Sequence, residues 1–173
     1  MATIKIKTLS NEKGFALLAA ILASLILLAV GMLVINMATG DLLTTKMTVG
    51  NKKALAATES GIHQLIRDFN PDPTTWTAAN NYSPHQDGSG TVCGTEQYSI
   101  YLWRSVPSGT DATTRFAICT PTPSSMSFIP FPGSALGEWG MMRYDTTVVG
   151  GNTSYNSQEI VTVGIGYGPV PMK

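Results

Sequence analysis

The sequence has few of the residues from which metal centres and catalytic sites are built. Its 173 residues include only two histidines and two cysteines. Because there is no CxxC pair and no histidine cluster, a zinc site is not expected. The GxSxG, HExxH and Walker patterns are also absent. We therefore expect no enzymatic activity, no metal and no other cofactor.

Charged residues are sparse as well, at 13% of the chain with a net charge of zero. Lys5, Lys7 and Lys13 against Glu12 give the first 14 residues a charge of +2, and the remaining eight basic and ten acidic residues sum to −2. Nucleic-acid-binding proteins usually carry a basic surface. Direct binding to nucleic acid is therefore not expected.

Proline is missing before Pro71, so nothing interrupts a helix in the first part of the chain. Residues 15–35 contain no charge and only Ser24 as a polar side chain. At about 1.5 Å per residue, such a helix matches the roughly 30 Å core of a bilayer. Helix-like apolar spacing continues through Leu55, Ile62, Leu65, Ile66 and Phe69. We predict one helix over residues 15–69, transmembrane over 15–35 and amphipathic beyond.

The lysines before the apolar run predict a cytoplasmic N-terminus, because basic flanks tend to stay in the cytoplasm. Residues 70–173 would then form an extracytoplasmic domain. Cys93 and Cys119 both lie in that domain, where thiols are readily oxidised. We predict one disulfide, with two buried free thiols as the alternative. Closing a loop of this length would stabilise the domain by about 3 kcal/mol.

The C-terminal part alternates strand-like runs with segments rich in proline and glycine. Residues 121–137 are predicted to be a loop, and Gly150-Gly151-Asn152 is predicted to turn between the last two strands. A sheet of about four strands on the amphipathic half of the helix would bury both apolar faces, which gives an α+β fold. The predicted strands are residues 96–105, 115–119, 141–149 and 158–167.

A small residue precedes the apolar run, whereas an ordinary secretory signal is cleaved after it. Lys13-Gly14-Phe15, followed by Ala16-Leu17-Leu18, resembles the prepilin peptidase site of type III (type IV prepilin) signals. The resemblance implies that residues 1–14 are a leader, that cleavage falls between Gly14 and Phe15, and that the new amine of Phe15 is methylated.

A second set of residues resembles the N-terminal region of PilX-type minor pilins. It consists of Gly50-Asn51, the alanine-rich residues 54–57, Glu59 and Gly61-Ile62, with Thr58 where alanine is usual. The tail Gly166-Tyr167-Gly168-Pro169 is also similar, although this signal is short. The resemblance covers about residues 13–69. It implies a pilin-like fold, with the long helix packed on a small antiparallel β-sheet.

Ala19 departs from the family pattern, since most pilins have glutamate at this fifth mature position. That carboxylate is thought to neutralise the N-terminal amine of a neighbouring subunit, a charge that is costly to leave unpaired in an apolar bundle. Ala19 therefore favours a subunit at the filament tip. The alternative is an anchored protein that never leaves the membrane.

The resemblance implies a minor pilin of a type IV pilus, a structural subunit that helps initiate assembly near the tip. Its partners would be the major and other minor pilins, the prepilin peptidase and the inner-membrane assembly platform. It would lie in the inner membrane with a periplasmic domain before assembly, and in the pilus at the cell surface afterwards. Three alternatives are a minor pseudopilin of a type II secretion system, a pilus-displayed adhesin using residues 71–94 and 121–137, and a membrane-anchored periplasmic interaction domain.

Overall fold

The computed structural model describes residues 12–106, 111–130 and 139–171. The chain divides into two compact units, Met1–Thr45 and Lys46–Lys173. The boundary between them lies inside the first helix, so that helix contributes residues to both units. Most of the predicted leader, residues 1–11, lies outside the described residues.

One helix, α1, spans Glu12–Asp68. It confirms the prediction of a single long N-terminal helix. The observed helix begins three residues before, and ends one residue before, the predicted range of residues 15–69. By length and composition, its apolar part is able to cross a membrane. Two 3₁₀ turns, Pro73–Thr75 and Ala78–Asn80, follow the helix. The Asp72 side chain caps the first turn by accepting a hydrogen bond from the Thr74 amide.

The described strands form one sheet around β5. On one edge, β5 pairs antiparallel with β6 along nearly its whole length. On the other edge, β4 pairs with the first half of β5 and β3 pairs with its second half, both antiparallel. Short β1 and β2 both join the outer edge of β3, and β1 runs parallel to it. The sheet is therefore mixed, and the prediction of an antiparallel sheet of about four strands is wrong in this respect. The strands are β1 Tyr82–Ser83, β2 Arg104–Ser105, β3 Thr114–Cys119, β4 Thr122–Pro130, β5 Trp139–Asn152 and β6 Ser157–Pro171.

Three of the four predicted strands are confirmed, since β3, β5 and β6 contain residues 115–119, 141–149 and 158–167. The prediction for residues 96–105 is wrong except at Arg104–Ser105. Tyr98 and Tyr101 are drawn inward instead, and their hydroxyls donate to the carbonyls of Pro84 at 2.5 Å and Thr95 at 2.6 Å. Side-chain contacts, rather than a strand ladder, hold this segment.

The predicted loop over residues 121–137 is wrong for its first part, because Thr122–Pro130 is strand β4. The pairing of β4 with β5 has a register shift between Pro123 and Phe128, which fits a proline-containing strand. Residues 131–138 lie outside the described residues. The predicted turn at Gly150-Gly151-Asn152 is also wrong: these residues end β5, and the turn is at residues 153–156. Asn156 has a φ of 50°, a left-handed conformation that asparagine tolerates well.

The part of α1 after Lys46 packs on the sheet through small side chains. Ala54, Ala57 and Thr58 are fully buried. At Gly61, a Cβ would lie 2.6 Å from Val148 Cγ1 and 2.9 Å from Phe116 Cδ2. At Gly150 of β5, a Cβ would meet the carbonyl oxygen of Ala54 and the backbone nitrogen of Thr58. The backbone of α1 therefore lies directly against the backbone of β5, with no side chain between them. The apolar core beside this contact contains Ala57, Leu65, Trp76, Tyr82, Phe116, Ile118, Tyr144 and Val148.

A disulfide joins Cys93 to Cys119, which confirms the predicted pairing. Both cysteines are buried with Tyr98 in a second, smaller core, and Tyr101 packs against it. The bridge connects the loop before β2 to the end of β3. It therefore fixes a segment that has little regular secondary structure of its own.

Candidate functional site

The first candidate site is the apolar surface of α1. Every residue from 14 to 48 is exposed, including large apolar side chains such as Phe15 at 75% and Met47 at 70%. From Phe15 to Ile35 this surface is apolar except for Ser24, and an apolar surface of this size is unfavourable in water and favours contact with lipid or with other proteins. After residue 35 the exposed residues are mixed and include Asp41 and Lys46. Beyond residue 35 the large exposed apolar side chains are Met37, Leu42, Leu43 and Met47.

Four hydroxyl side chains on this surface, those of Ser24, Thr39, Thr44 and Thr45, turn back to the helix itself. The hydroxyl of Ser24 donates to the carbonyl of Ile21 at 2.8 Å, and Thr45 donates to the carbonyl of Asp41 at 2.8 Å. A polar group in lipid or in an apolar bundle needs such an internal partner, because no water is present to supply one. These hydroxyl groups are therefore compatible with an apolar surrounding, whereas Asp41 and Lys46 add charge to the exposed surface after residue 35.

Gly14, Phe15 and Ala19, which the sequence indicated as site residues, all lie in the first turns of α1. Among the residues that the structure describes, and apart from the adjoining helix backbone, no atom comes within 4 Å of a Cβ built at Gly14. Ala19 is exposed one turn after Phe15, on the same face of the helix. The cleavage and methylation assigned to Gly14 and Phe15 stay predictions. The other indicated residues, Cys93 and Cys119, belong to the second unit and form its disulfide.

The second candidate site is a polar cleft of about 450 Å³ in the second unit, which sequence reasoning did not find. Its residues come from α1, from the loop before β2, from β3, and from the β5–β6 turn with the adjoining ends of β5 and β6. No local motif contains them, and each is an ordinary polar residue in its own segment. The lining residues are Asn51, Glu96, Trp103, Arg115, Gly151, Asn152, Thr153, Asn156, Ser157 and Gln158.

Arg115 is the positively charged residue of this cleft. Its guanidinium carbon lies 4.4 Å from the centroid of the Trp103 ring, within the range of a cation–π contact. Its Nε is buried and donates no hydrogen bond, and its side chain makes no ion pair with the part of the chain that the structure describes. The Nε of Arg104 is also buried without a hydrogen-bond partner, but Arg104 donates from Nη2 to the carbonyl of Asn80 at 2.6 Å.

The strongly perturbed carboxylates have structural partners. Asp111 pairs with Lys53 at 2.8 Å and accepts hydrogen bonds from Thr113 and Thr114, and these contacts hold its pKa far below the usual range, with Lys53 as the largest cause. The Ser89 hydroxyl, together with other loop donors, lowers the pKa of Asp87 to about 2. Both carboxylates organise loops and are not poised to transfer protons at neutral pH.

The residues that the structure describes contain no group of three His, Cys, Asp or Glu side chains able to hold a metal ion. Comparison of the chain with protein-family models, with curated proteins and with solved structures found no match. The described residues present two candidate sites, the exposed apolar surface of α1 and the polar cleft around Arg115.

Proposed function

We propose that the chain is a minor pilin of a type IV pilus, a structural subunit that helps to initiate assembly near the filament tip. The observation that carries this proposal is the length of the exposed apolar surface of α1. Its large apolar side chains continue from Phe15 to Leu43, about 40 Å along the helix, whereas a bilayer core covers roughly 30 Å. Leu42, Leu43 and Met47 are exposed in the part that a membrane would leave uncovered. A bundle of similar helices would cover them.

The small residues of α1 support a pilin-like arrangement in a second way. Gly50, Ala54, Ala57 and Gly61 belong to the set that resembles PilX-type minor pilins, and all four are buried in the second unit. A glycine inside a helix is unfavourable by roughly 0.5–1 kcal/mol relative to alanine. At Gly61 this loss is offset by the close approach of Val148 and Phe116. The pattern therefore has a physical reason in the packing of helix on sheet.

Ala19 supports a position at the tip. Its exposed methyl group offers no carboxylate to the N-terminal amine of a neighbouring subunit. An unpaired ammonium group in an apolar bundle is strongly unfavourable. A subunit with alanine here is best tolerated where no such amine has to be paired. Its partners would be other pilins, the prepilin peptidase and the inner-membrane assembly platform, and before assembly it would reside in the inner membrane.

The test is the intact mass and N-terminal sequence of the native protein, recovered separately from membranes and from sheared filaments. We expect a chain that begins at methylated Phe15 in both fractions. A chain that begins at Met1 and stays with the membrane would overturn the proposal and favour an anchored periplasmic domain. Loss of the gene should lower the number of filaments, and labelled protein should mark their ends.

Gly14→Leu is the variant that tests processing, and Gly31→Leu is its matched control. At both glycines, no atom of the described residues outside the adjoining helix backbone lies within 4 Å of a built Cβ, so neither substitution clashes with the described part of the chain. Gly14→Leu should retain the leader, whereas Gly31→Leu should be processed normally. Normal processing of Gly14→Leu would contradict the assignment of the leader.

A further inference from the structure

The guanidinium of Arg115 contacts an aromatic ring but forms no hydrogen bond or ion pair with the described residues. The guanidinium carbon lies over the Trp103 ring, 4.4 Å from its centroid, and the Trp103 ring in turn packs on Tyr101, with 5.1 Å between the ring centroids. A guanidinium has five N–H donors in a fixed planar arrangement, which suits a carboxylate. The side chain of Arg115 donates no hydrogen bond within the described part of the chain. An arginine in this position is able to donate hydrogen bonds to an anionic partner.

The remainder of the cleft suits a ligand rich in hydroxyl groups. Asn51, Asn156 and Gln158 contribute amides that both donate and accept hydrogen bonds, and Thr153 adds a hydroxyl. Glu96 contributes an acceptor, and its carboxylate forms no ion pair with Arg115. The volume of about 450 Å³ lies within the usual range for small-molecule sites.

The cleft is also preorganised. Asn152, only 2% exposed, donates from Nδ2 to the hydroxyl of Thr114 at 2.7 Å, and its Oδ1 accepts from the amide of Tyr155 at 3.1 Å. The turn that carries Thr153 and Asn156 is thereby attached to β3. A ligand binding here would not have to order the turn, which lowers the entropic cost of binding.

We propose that this cleft binds a carboxylated sugar, such as a hexuronic acid unit of an acidic polysaccharide. Arg115 pairs with the carboxylate, the amides bind the ring hydroxyls, and Glu96 accepts a hydrogen bond from one of them. Trp103 holds the arginine in position, since the guanidinium already covers its ring. The proposal concerns the second unit alone and does not depend on the assignment of the chain to a pilus.

The test is calorimetric titration of the full-length chain in a polyoxyethylene detergent, which has no sugar head group. The probes are glucuronate, glucose, acetate and an acetylated Asp-Glu dipeptide amide. We expect glucuronate to bind at least tenfold more tightly than each of the other three. Equal binding of acetate would show an unspecific anion site, tighter binding of the dipeptide would show a protein ligand, and absence of glucuronate binding would show no site. Each of these results would overturn the proposal.

Arg115→Gln should weaken glucuronate binding at least tenfold, and Arg115→Lys should weaken it as well, because lysine keeps the charge but lacks the planar pair of donors. Arg143→Gln is the matched control, since Arg143 pairs with Asp145 and does not line the cleft. Unchanged binding in Arg115→Gln would refute the role of Arg115.

Asn156→Gly is a second variant for the same site. Glycine tolerates the φ of 50° at this position, as asparagine does, but the substitution removes the side-chain amide. It should weaken binding severalfold, and it tests the site even if Arg115→Gln fails to fold.

Discussion

Gly150→Ala is the substitution that most directly tests the packing of α1 on the sheet. A Cβ at this position would meet the carbonyl oxygen of Ala54 and would lie 2.6 Å from the backbone nitrogen of Thr58. These atoms belong to the helix backbone, so no side-chain rotation relieves the clash. Either α1 or β5 has to shift, and both Ala54 and Thr58 are fully buried where they now lie.

Overpacking of a core typically lowers the free energy of unfolding by 1–3 kcal/mol. Because backbone atoms have to move, we expect Gly150→Ala to be at the upper end, with a loss of about 3 kcal/mol. For a unit of this size such a loss lowers Tm by about 10 °C. The assay is thermal unfolding of the full-length chain in detergent, followed by near-ultraviolet circular dichroism and tryptophan fluorescence, which report on the second unit.

Gly164→Ala in β6 is the control for the effect of removing a strand glycine. The nearest atoms to its Cβ would be Nη2 and Nε of Arg143, at 3.2 and 3.3 Å, and this half-exposed side chain, which pairs with Asp145 at the surface, is able to move aside. We expect a change within about 0.5 kcal/mol. If the Tm of Gly150→Ala were within 2–3 °C of the Tm of the unmodified chain, the direct backbone contact between α1 and β5 would be refuted.

Two further predictions concern the loops of the second unit. Replacing Cys93 and Cys119 by serine should lower the free energy of unfolding by about 3 kcal/mol, measured by the same melts, and an unchanged Tm would contradict a stabilising role for the disulfide. Asp87 has a pKa of about 2 in the folded chain against an ordinary value of 3.8, so the unfolded chain takes up protons first as the pH falls. The stabilisation from Asp87 should be complete above about pH 5 and should be lost between pH 4 and pH 2. Asp87→Asn should flatten the dependence of Tm on pH in that interval, and an unaltered slope would count against this role.

The long helix and the disulfide were predictable because each depends on a simple property of the chain. Absence of proline and an uncharged apolar run are sufficient to predict α1, and two cysteines allow only one intramolecular pairing. Strand β4 was not predictable in the same way. Pro123 and Pro130 are typical of loops, and only the long-range pairing with β5 makes the segment a strand. Gly150 and Gly151 resemble turn residues for a similar reason, although Gly150 is required by the approach of the helix.

The polar cleft could not be predicted at all, because its residues extend from Asn51 to Gln158 and share no spacing. They come together only after the β5–β6 turn is attached to β3 through Asn152. Arg115 itself lies in a strand that was correctly predicted. Its stacking on Trp103 depends on the irregular course of residues 96–103, where the prediction of a strand was wrong.

The orientation of α1 on the sheet also differs from what apolar spacing alone indicates. The helix-like apolar spacing placed Leu55, Leu65 and Ile66 together on the face expected to pack on the sheet. Leu65 is fully buried, but Leu55 is 45% exposed and Ile66 is 63% exposed. The helix turns its small residues toward the sheet because these permit the closest approach, and more apolar area is then buried by the surrounding core. Leu55 and Ile66 lie eleven residues apart, three turns along one face. In the proposed filament, this exposed apolar face of the second unit would be available for contact with neighbouring subunits.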